Sequence, residues 1–194
     1  GMMIVGAIGG FATALETQSL VLAILAGAAA GAALAAVFAI MTQYLLSNQV
    51  ATGLALTMFG LGIASLLGQT YAGKTLDVAA KLDIAGLSDL PIVGPLLFGH
   101  DPMIYLSILA TVGVWWFLTC TRSGLNLRAV GENHDAAHSI GYNVRQTRVA
   151  AILFGGAMAG LGGAYLSVLA TPLWVEGMTA GRGWIALAIV VFAA

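Results

Sequence analysis

The sequence predicts an all-α protein, a polytopic transmembrane helical bundle. Hydrophobic residues make up 60% of the chain and charged residues only 8%, whereas soluble domains carry roughly 25% charged residues. The few charges are also clustered, because none occurs from Thr17 to Gly73 or from Pro102 to Thr121. A membrane-spanning helix needs about 20 mostly apolar residues. Both charge-free runs are therefore long enough to cross a bilayer.

The first half of the chain contains one partial span and two full spans. Met2–Leu15 is apolar and rich in glycine, and we expect it to form part of a span. Leu20–Met41 is a clear span, in which Gly27 and Gly31 provide a small-residue face for close helix packing. Val50–Gly68 is the next span.

The second half alternates polar connections with spans. Residues 69–102 form a long connection with two Lys and four Asp, and Met103–Thr119 is the third span. Residues 121–148 form a polar loop, which is followed by the glycine-rich fourth span, Val149–Leu169. Trp184 begins a last apolar segment.

Basic residues predict the orientation of these segments. The loop at 121–148 carries four Arg and two acidic residues, while the connection at 69–102 carries two Lys and four acidic residues. Cytoplasmic loops are enriched in Lys and Arg. We therefore expect 121–148 to be cytoplasmic and 69–102 to be extracytoplasmic.

A short helix is predicted inside the loop at 121–148. Asn133 is a good N-cap residue, and Asp135 falls in the first turn, where a negative charge suits the helix dipole. Residues 134–140 can form about two turns. Gly141 can end them in the left-handed conformation.

His134 and His138 in this helix raise the alternative of a membrane metal-dependent hydrolase. Two His four residues apart on a helix can bind one zinc ion, as in the H-E-x-x-H motif. Here Asp135 stands in place of the Glu, and no third ligand follows at a recognised spacing. The pattern favours a solvated or partner-facing helix, with no metal site and no catalytic residues.

Polar residues at membrane depth are candidates for a solute pathway, because burying them in lipid is costly. The predicted span cores contain no charged residue. This weakens the alternative of an ion-coupled secondary transporter or channel but leaves it open. The hydroxyl and amide groups suit a neutral, hydroxyl-rich solute. The candidate pathway residues are Asn48, Thr52, Thr57, Trp174 and Thr179.

The two ends and the net charge add smaller constraints. The chain starts and stops inside apolar segments, so we expect a transmembrane domain, residues 1–194, that is truncated at both ends. The net charge of −1 gives no indication of nucleic-acid binding.

The sequence resembles a known family at four segments that follow one another in the expected order. Residues 124–141 resemble the cytoplasmic loop of bacterial ABC-transporter permeases, most closely the group that imports simple sugars and nucleosides, which is related to branched-chain amino acid permeases. Three further segments agree with that family. They are 1–7, the glycine-rich 155–164, and 178–188.

The resemblance implies a permease subunit of an ATP-driven importer in the bacterial plasma (inner) membrane. Such a subunit pairs with a second permease, identical or different, among the membrane lipids. It docks on cytoplasmic ATPases that bind the ATP, so no cofactor is expected on the permease itself. An extracytoplasmic binding protein delivers the solute, here a nucleoside or a simple sugar.

The resemblance also implies that the loop at 121–148 is the coupling loop, whose short helix sits in a groove on the ATPase. Ala136 and Ala137 would present a small face, Ile140 would enter an apolar pocket, and charged residues would pair at the rim. The expected coupling residues are Arg128, Gly131, Glu132, Asn133, Ala136, Ala137, Ile140 and Gly141.

Overall fold

The computed structural model describes residues 1–76 and 101–193. In this part of the chain every regular element is a helix, apart from an isolated β-bridge between Thr75 and Leu173. The predicted all-α fold is confirmed. The helices are α1 (Met2–Thr17), α2 (Leu20–Ala39), α3 (Gln49–Gly68), α4 (Pro102–Cys120), α5 (Arg122–Glu132), α6 (His134–Ser139), α7 (Val144–Tyr165) and α8 (Arg182–Ala193).

The chain groups into two compact units, which are described separately. Gly1–Val78 together with Val149–Ala194 forms the first unit, and Ala79–Arg148 forms the second. Most of the predicted connection at 69–102 lies outside the described residues, because these stop at Leu76 and resume at Asp101.

Four helical stretches of the described residues are long and apolar enough to cross a membrane. They correspond to the four predicted spans, while α1 and α8 are shorter apolar helices. The four stretches are Leu20–Tyr44, Gln49–Tyr71, Pro102–Cys120 and Val144–Ala170.

Helix α7 begins earlier than the predicted Val149. The Oδ1 atom of Asn143 accepts a hydrogen bond from the backbone N–H of Gln146 at 3.2 Å and so caps the helix. Residues 145–148 are polar, so a boundary placed by hydropathy misses this first turn.

Helices α2 and α7 both end in a π turn. Ile40–Tyr44 continues α2, and Leu166–Ala170 continues α7. In the second turn the backbone N–H of Thr171 donates to the carbonyl oxygen of Leu166, five residues earlier, at 2.9 Å. A π turn inserts one extra residue into a helix and is frequent at functional sites.

Helices α1, α2 and α7 of the first unit pack so closely that their backbones touch at glycines. A Cβ on Gly27 would lie 2.9 Å from the carbonyl oxygen of Gly6, and a Cβ on Gly156 would lie 2.9 Å from that of Gly31. Gly160 lies between the other two helices, against Gly6, Gly27 and Gly31. Because lipid provides no hydrophobic force between helices, this close backbone approach is a main source of attraction. The small-residue packing face predicted at Gly27 and Gly31 is confirmed.

A buried hydrogen bond joins the same helices. The hydroxyl of Ser167, which is completely buried, donates to the carbonyl oxygen of Ala7 at 2.8 Å. Ile8, Phe11 and Val168 fill the space around it as part of the core. The π turn that ends α7 is therefore fixed to α1.

Helix α3 is attached by a single narrow stripe. Its buried residues recur at every fourth position, which places them on one face. A Cβ on Gly60 in this stripe would lie 3.1 Å from the Cα of Gly1. The stripe consists of Thr52, Leu56, Gly60, Ala64 and Gly68.

The glycine contacts predict a matched pair of substitutions in α7. A methyl group at Gly160 would lie 3.0 Å from the Cα of Gly31, whereas one at Gly162 has no atom within 4 Å. We expect Gly160→Ala to lower the free energy of unfolding by about 1–3 kcal/mol through overpacking. Gly162→Ala should be neutral or slightly stabilising, by less than about 1 kcal/mol. Reversible unfolding of the purified full-length protein in one detergent measures both, and equal losses would contradict the packing.

Candidate functional site

The polar loop between α4 and α7 contains the predicted short helix. The Oδ1 atom of Asn133 caps α6 by accepting hydrogen bonds from the backbone N–H groups of Asp135, at 3.1 Å, and Ala136, at 3.0 Å. The helix runs over His134–Ser139, and Gly141 follows with φ +95°. Both the capping residue and the left-handed glycine were predicted from the sequence and are confirmed.

The same loop contains a second helix, α5, where the sequence predicted only a polar loop. The Oγ1 atom of Thr121 accepts a hydrogen bond from the backbone N–H of Gly124 at 3.0 Å and so starts the helix. Gly124 lies against the backbone of Phe117 and Leu118, which makes the turn out of α4 very tight. Helix α5 is polar, so hydropathy gives no indication of it. The cap formed by Thr121 was the available sequence indication.

Seven of the eight expected coupling residues are exposed, and one is buried. The side chain of Ile140 is 74% exposed, and Ala136 is also exposed. Ala137 is only 3% exposed, and Val130 of α5 is buried to the same extent. Ala137 is therefore packed inside the loop, whereas the other seven expected coupling residues are accessible to solvent. These are Arg128, Gly131, Glu132, Asn133, Ala136, Ile140 and Gly141.

No metal-binding cluster was found in the described residues. Within 1–76 and 101–193, no group of three or more His, Cys, Asp or Glu side chains is placed to hold a metal ion. The side chain of His138 is exposed to solvent.

Three of the five candidate pathway residues lie in the first half of α3. Asn48 caps the helix, with its Oδ1 atom accepting from the backbone N–H groups of Val50 and Ala51 at 2.9 and 3.1 Å. Thr52 is buried, and its hydroxyl lies 3.1 Å from the hydroxyl of Ser47. The hydroxyl of Thr57 donates to the carbonyl oxygen of Gly53 within the helix, at 2.8 Å. The Asn48 oxygen caps the helix, and the hydroxyls of Thr52 and Thr57 already have hydrogen-bond partners within the protein.

The other two candidates lie beyond the opposite end of α3. Trp174 is buried with its indole ring against Gly68, and Thr179 is half-buried in the turn before α8. The rise of an α-helix places Gly68 about 24 Å from Thr52 along α3. The five residues therefore do not form one cluster.

The structure adds buried polar residues that sequence reasoning missed. Thr42 and Gln43 are 5% and 9% exposed, and the Nε2 atom of Gln43 lies 3.4 Å from the Oγ1 atom of Thr42. They belong to the π turn that extends α2, beyond Met41, where the predicted span ends. Polar residues directly after an apolar run were the only sequence indication.

The structure also brings a carboxylate against a predicted span. The hydroxyl of Ser65 in α3 donates to the Oε1 atom of Glu176 at 2.5 Å. The two residues are 111 positions apart in the chain. No spacing pattern in the sequence indicates this pair.

Comparison with known proteins identifies the family. A profile described as "branched-chain amino acid transport system / permease component" matches residues 1–194. The chain belongs to this permease family. The family and the apolar helices together identify the protein as a multi-pass integral membrane protein of the plasma membrane.

Relatives within the permease family are named for sugar and nucleoside transport. The chain is 42% identical over 197 residues to a putative glucose ABC transporter permease of Haloferax volcanii, covering 100% of this chain and 60% of the relative. It is 30% identical over 203 residues to a nucleoside ABC transporter permease of Lactococcus lactis, and 32% identical over 207 residues to a guanosine ABC transporter permease of Bacillus subtilis. These two alignments each cover 99% of this chain and 64% of the relative.

These relatives confirm the resemblance inferred from the four sequence segments. All three are longer than this chain, which spans less than two thirds of each. No solved structure matches the chain.

The burial of Ala137 predicts different effects of the same substitution at neighbouring positions. Ala137→Glu would place a carboxylate where the loop is closed to water, so we expect the permease to lose about 2–4 kcal/mol of stability. Ala136→Glu adds the same charge at an exposed position and should change stability by less than about 0.5 kcal/mol. Thermal unfolding of the two purified variants compares them. Equal melting temperatures would show that Ala137 is not packed inside the loop.

Proposed function

We propose that this chain is the permease subunit of an ATP-driven ABC importer for nucleosides or simple sugars. The observation that carries the proposal is the similarity of its whole length to permeases named for glucose, nucleosides and guanosine. The chemistry of the described spans is compatible with a neutral solute, because the polar groups of α3 are hydroxyls and amides.

The loop at 121–148 is proposed to lie in the cytoplasm and the connection at 69–102 outside the cell. The Arg content of the loop supports this orientation. The first unit provides a second argument, because Val149 and Leu153 of α7 lie beside Ile40 and Tyr44 at the end of α2. Helix α3 starts at Gln49, shortly after this end of α2, and Gln69–Tyr71 follows the other end of α3. The chain thus enters α7 and leaves α3 at opposite ends of the unit.

Helix α6 is proposed to be the coupling helix, which docks on a cytoplasmic ATPase. A helix of six residues has little intrinsic stability, so the Asn133 cap and the burial of Ala137 are needed to hold it in shape. It presents Ile140 as a large exposed apolar side chain, with Arg128 and Glu132 exposed nearby in the sequence. This combination suits an apolar pocket with a polar rim on the partner.

The remaining partners follow from the importer class. They are a second permease, identical or different, and an extracytoplasmic protein that delivers the solute. ATP binds to the ATPase subunits, and the permease itself needs no cofactor or catalytic residue. The candidate pathway residues at the two ends of α3 remain a proposal, with Asn48 and Thr52 near the inner side and Trp174 near the outer side.

The orientation is tested by cysteine labelling. We expect Ser139→Cys, in a background with Cys120→Ser, to react with a membrane-impermeant maleimide only after the cells are opened, because Ser139 is exposed in α6 and the loop is proposed to be cytoplasmic. Labelling of intact cells, scored by mass spectrometry of the purified protein, would place the loop outside and end the coupling proposal.

The coupling role is tested at Ile140. In the complete transporter, with its ATPases and binding protein in liposomes, we expect Ile140→Glu to reduce ATP-dependent uptake about ten-fold or more, because a carboxylate cannot enter an apolar pocket without a large desolvation cost. Uptake of radiolabelled guanosine, glucose and leucine identifies the solute class.

Two controls interpret the uptake result. Ile140→Leu keeps an apolar side chain of similar volume and should retain most of the uptake. The melting temperature of Ile140→Glu should match the parent, because the side chain is exposed. Normal uptake by Ile140→Glu would exclude the docking role, and uptake driven by an ion gradient without ATPase would exclude the importer class.

A further inference from the structure

The segment that follows α7 is fastened across the end of α3 by contacts of several kinds. The indole ring of Trp174 lies against Gly68, where a Cβ would come within 2.5 Å of the ring atom Cε2. The hydroxyl of Ser65 donates to the carboxylate of Glu176 at 2.5 Å. We call these four residues, Ser65, Gly68, Trp174 and Glu176, the clasp.

Backbone contacts extend the clasp beyond α3. The N–H of Leu76 donates to the carbonyl oxygen of Pro172 at 2.9 Å, and Thr75 forms a β-bridge with Leu173. The chain leaving α3 and the chain leaving α7 are therefore joined to each other on the proposed outer side.

The clasp contrasts with the packing of the other helices in the first unit. Helices α1, α2 and α7 contact one another through glycine backbones, and any sliding would drive backbone atoms into each other. Helix α3 has one buried stripe and a wide exposed surface that includes Met58 and Phe59. Its attachment at the outer end consists of the clasp and of Tyr71, whose hydroxyl donates to Glu16 at 3.1 Å and whose ring meets Phe11 edge-on.

Such an attachment can open and close. A hydrogen bond between helices in a membrane contributes on average about as much as one in water, so it can break without unfolding the protein. Ser65 is half-buried and Glu176 is exposed, so water can solvate both groups when they separate. The glycine contacts between α1, α2 and α7 cannot open and close in this way.

We propose that the clasp is a conformational device that fastens α3 to the rigid group of α1, α2 and α7, and that it opens and closes during the transport cycle. Glu176 and Ser65 are positioning residues in this device, because they act by holding Trp174 on Gly68. The existence of the clasp stands on the contacts alone. Its part in transport rests on the proposed importer function.

The fastening is tested by the fluorescence of Trp174. In the full-length protein with every other Trp replaced by Phe, we expect Ser65→Ala and Glu176→Ala each to raise acrylamide quenching of Trp174 by about two-fold or more, because the buried ring becomes accessible. Glu176→Gln retains an acceptor oxygen and should give an intermediate value.

A hydroxyl that bonds only within its own helix provides the matched control. Thr111 in α4 donates to the carbonyl oxygen of Ser107 at 2.8 Å, so Thr111→Ala should leave the quenching unchanged. Parental quenching in both Ser65→Ala and Glu176→Ala would show that the polar pair does not hold the ring, and would overturn the clasp.

The role in transport is tested by the number of solute molecules taken up per ATP hydrolysed. In the complete transporter we expect Ser65→Ala and Glu176→Ala each to lower this ratio by about three-fold or more, the size expected for one lost hydrogen bond. The double variant should be no worse than either single variant, because the same bond is already broken.

The outcomes separate the two proposals. An unchanged ratio, or effects of the two substitutions that multiply, would overturn the transport role of the clasp. If the unmodified transporter showed no ATP-dependent uptake, the proposed function would fail, whereas the quenching experiment would still decide whether the clasp exists.

Discussion

The structure of the first unit depends on contact between helix backbones at positions without a Cβ atom. Gly160 of α7 touches α1 and α2 together, through Gly6, Gly27 and Gly31. In lipid, where apolar side chains gain nothing by leaving the solvent, such contacts replace the hydrophobic effect as the source of helix association. The glycines at these contacts are therefore a packing requirement, and the hydrogen bond from Ser167 to Ala7 fixes the register of the packed helices.

This packing determines which parts of the protein can move. A group of three helices in backbone contact behaves as one body, because a close-packed interface leaves no space for the helices to move against one another. Helix α3 has no comparable contact with α7, and the segment containing Trp174 and Glu176 joins their ends. Within this unit, a displacement of α7 would therefore reach α1 and α2 directly, and would reach α3 through its buried stripe and through that segment.

Sequence reasoning recovered what depends on local composition. Hydropathy located the four long spans, and residue preferences located the cap at Asn133 and the left-handed Gly141. It missed α5, because a polar helix gives no hydropathy signal, and it did not foresee that Ala137 would be buried within the loop. The contact between Ser65 and Glu176 depends on the tertiary fold, so no local pattern announces it. The grouping of Asn48, Thr52 and Thr57 with Trp174 followed residue type alone, and the length of α3 separates them.

The π turn at Leu166–Ala170 has a consequence for the evolution of the chain. One residue in an α-helix corresponds to a rotation of about 100° around its axis. Loss of the extra residue would restore a regular helix, yet it would turn everything downstream by that angle and carry the aromatic ring of Trp174 away from the groove at Gly68. Single-residue deletions in this turn should therefore be tolerated by the local backbone but rejected by the tertiary structure. The number of residues in this short segment is therefore a structural constraint in addition to the buried side chains of Ser167 and Val168.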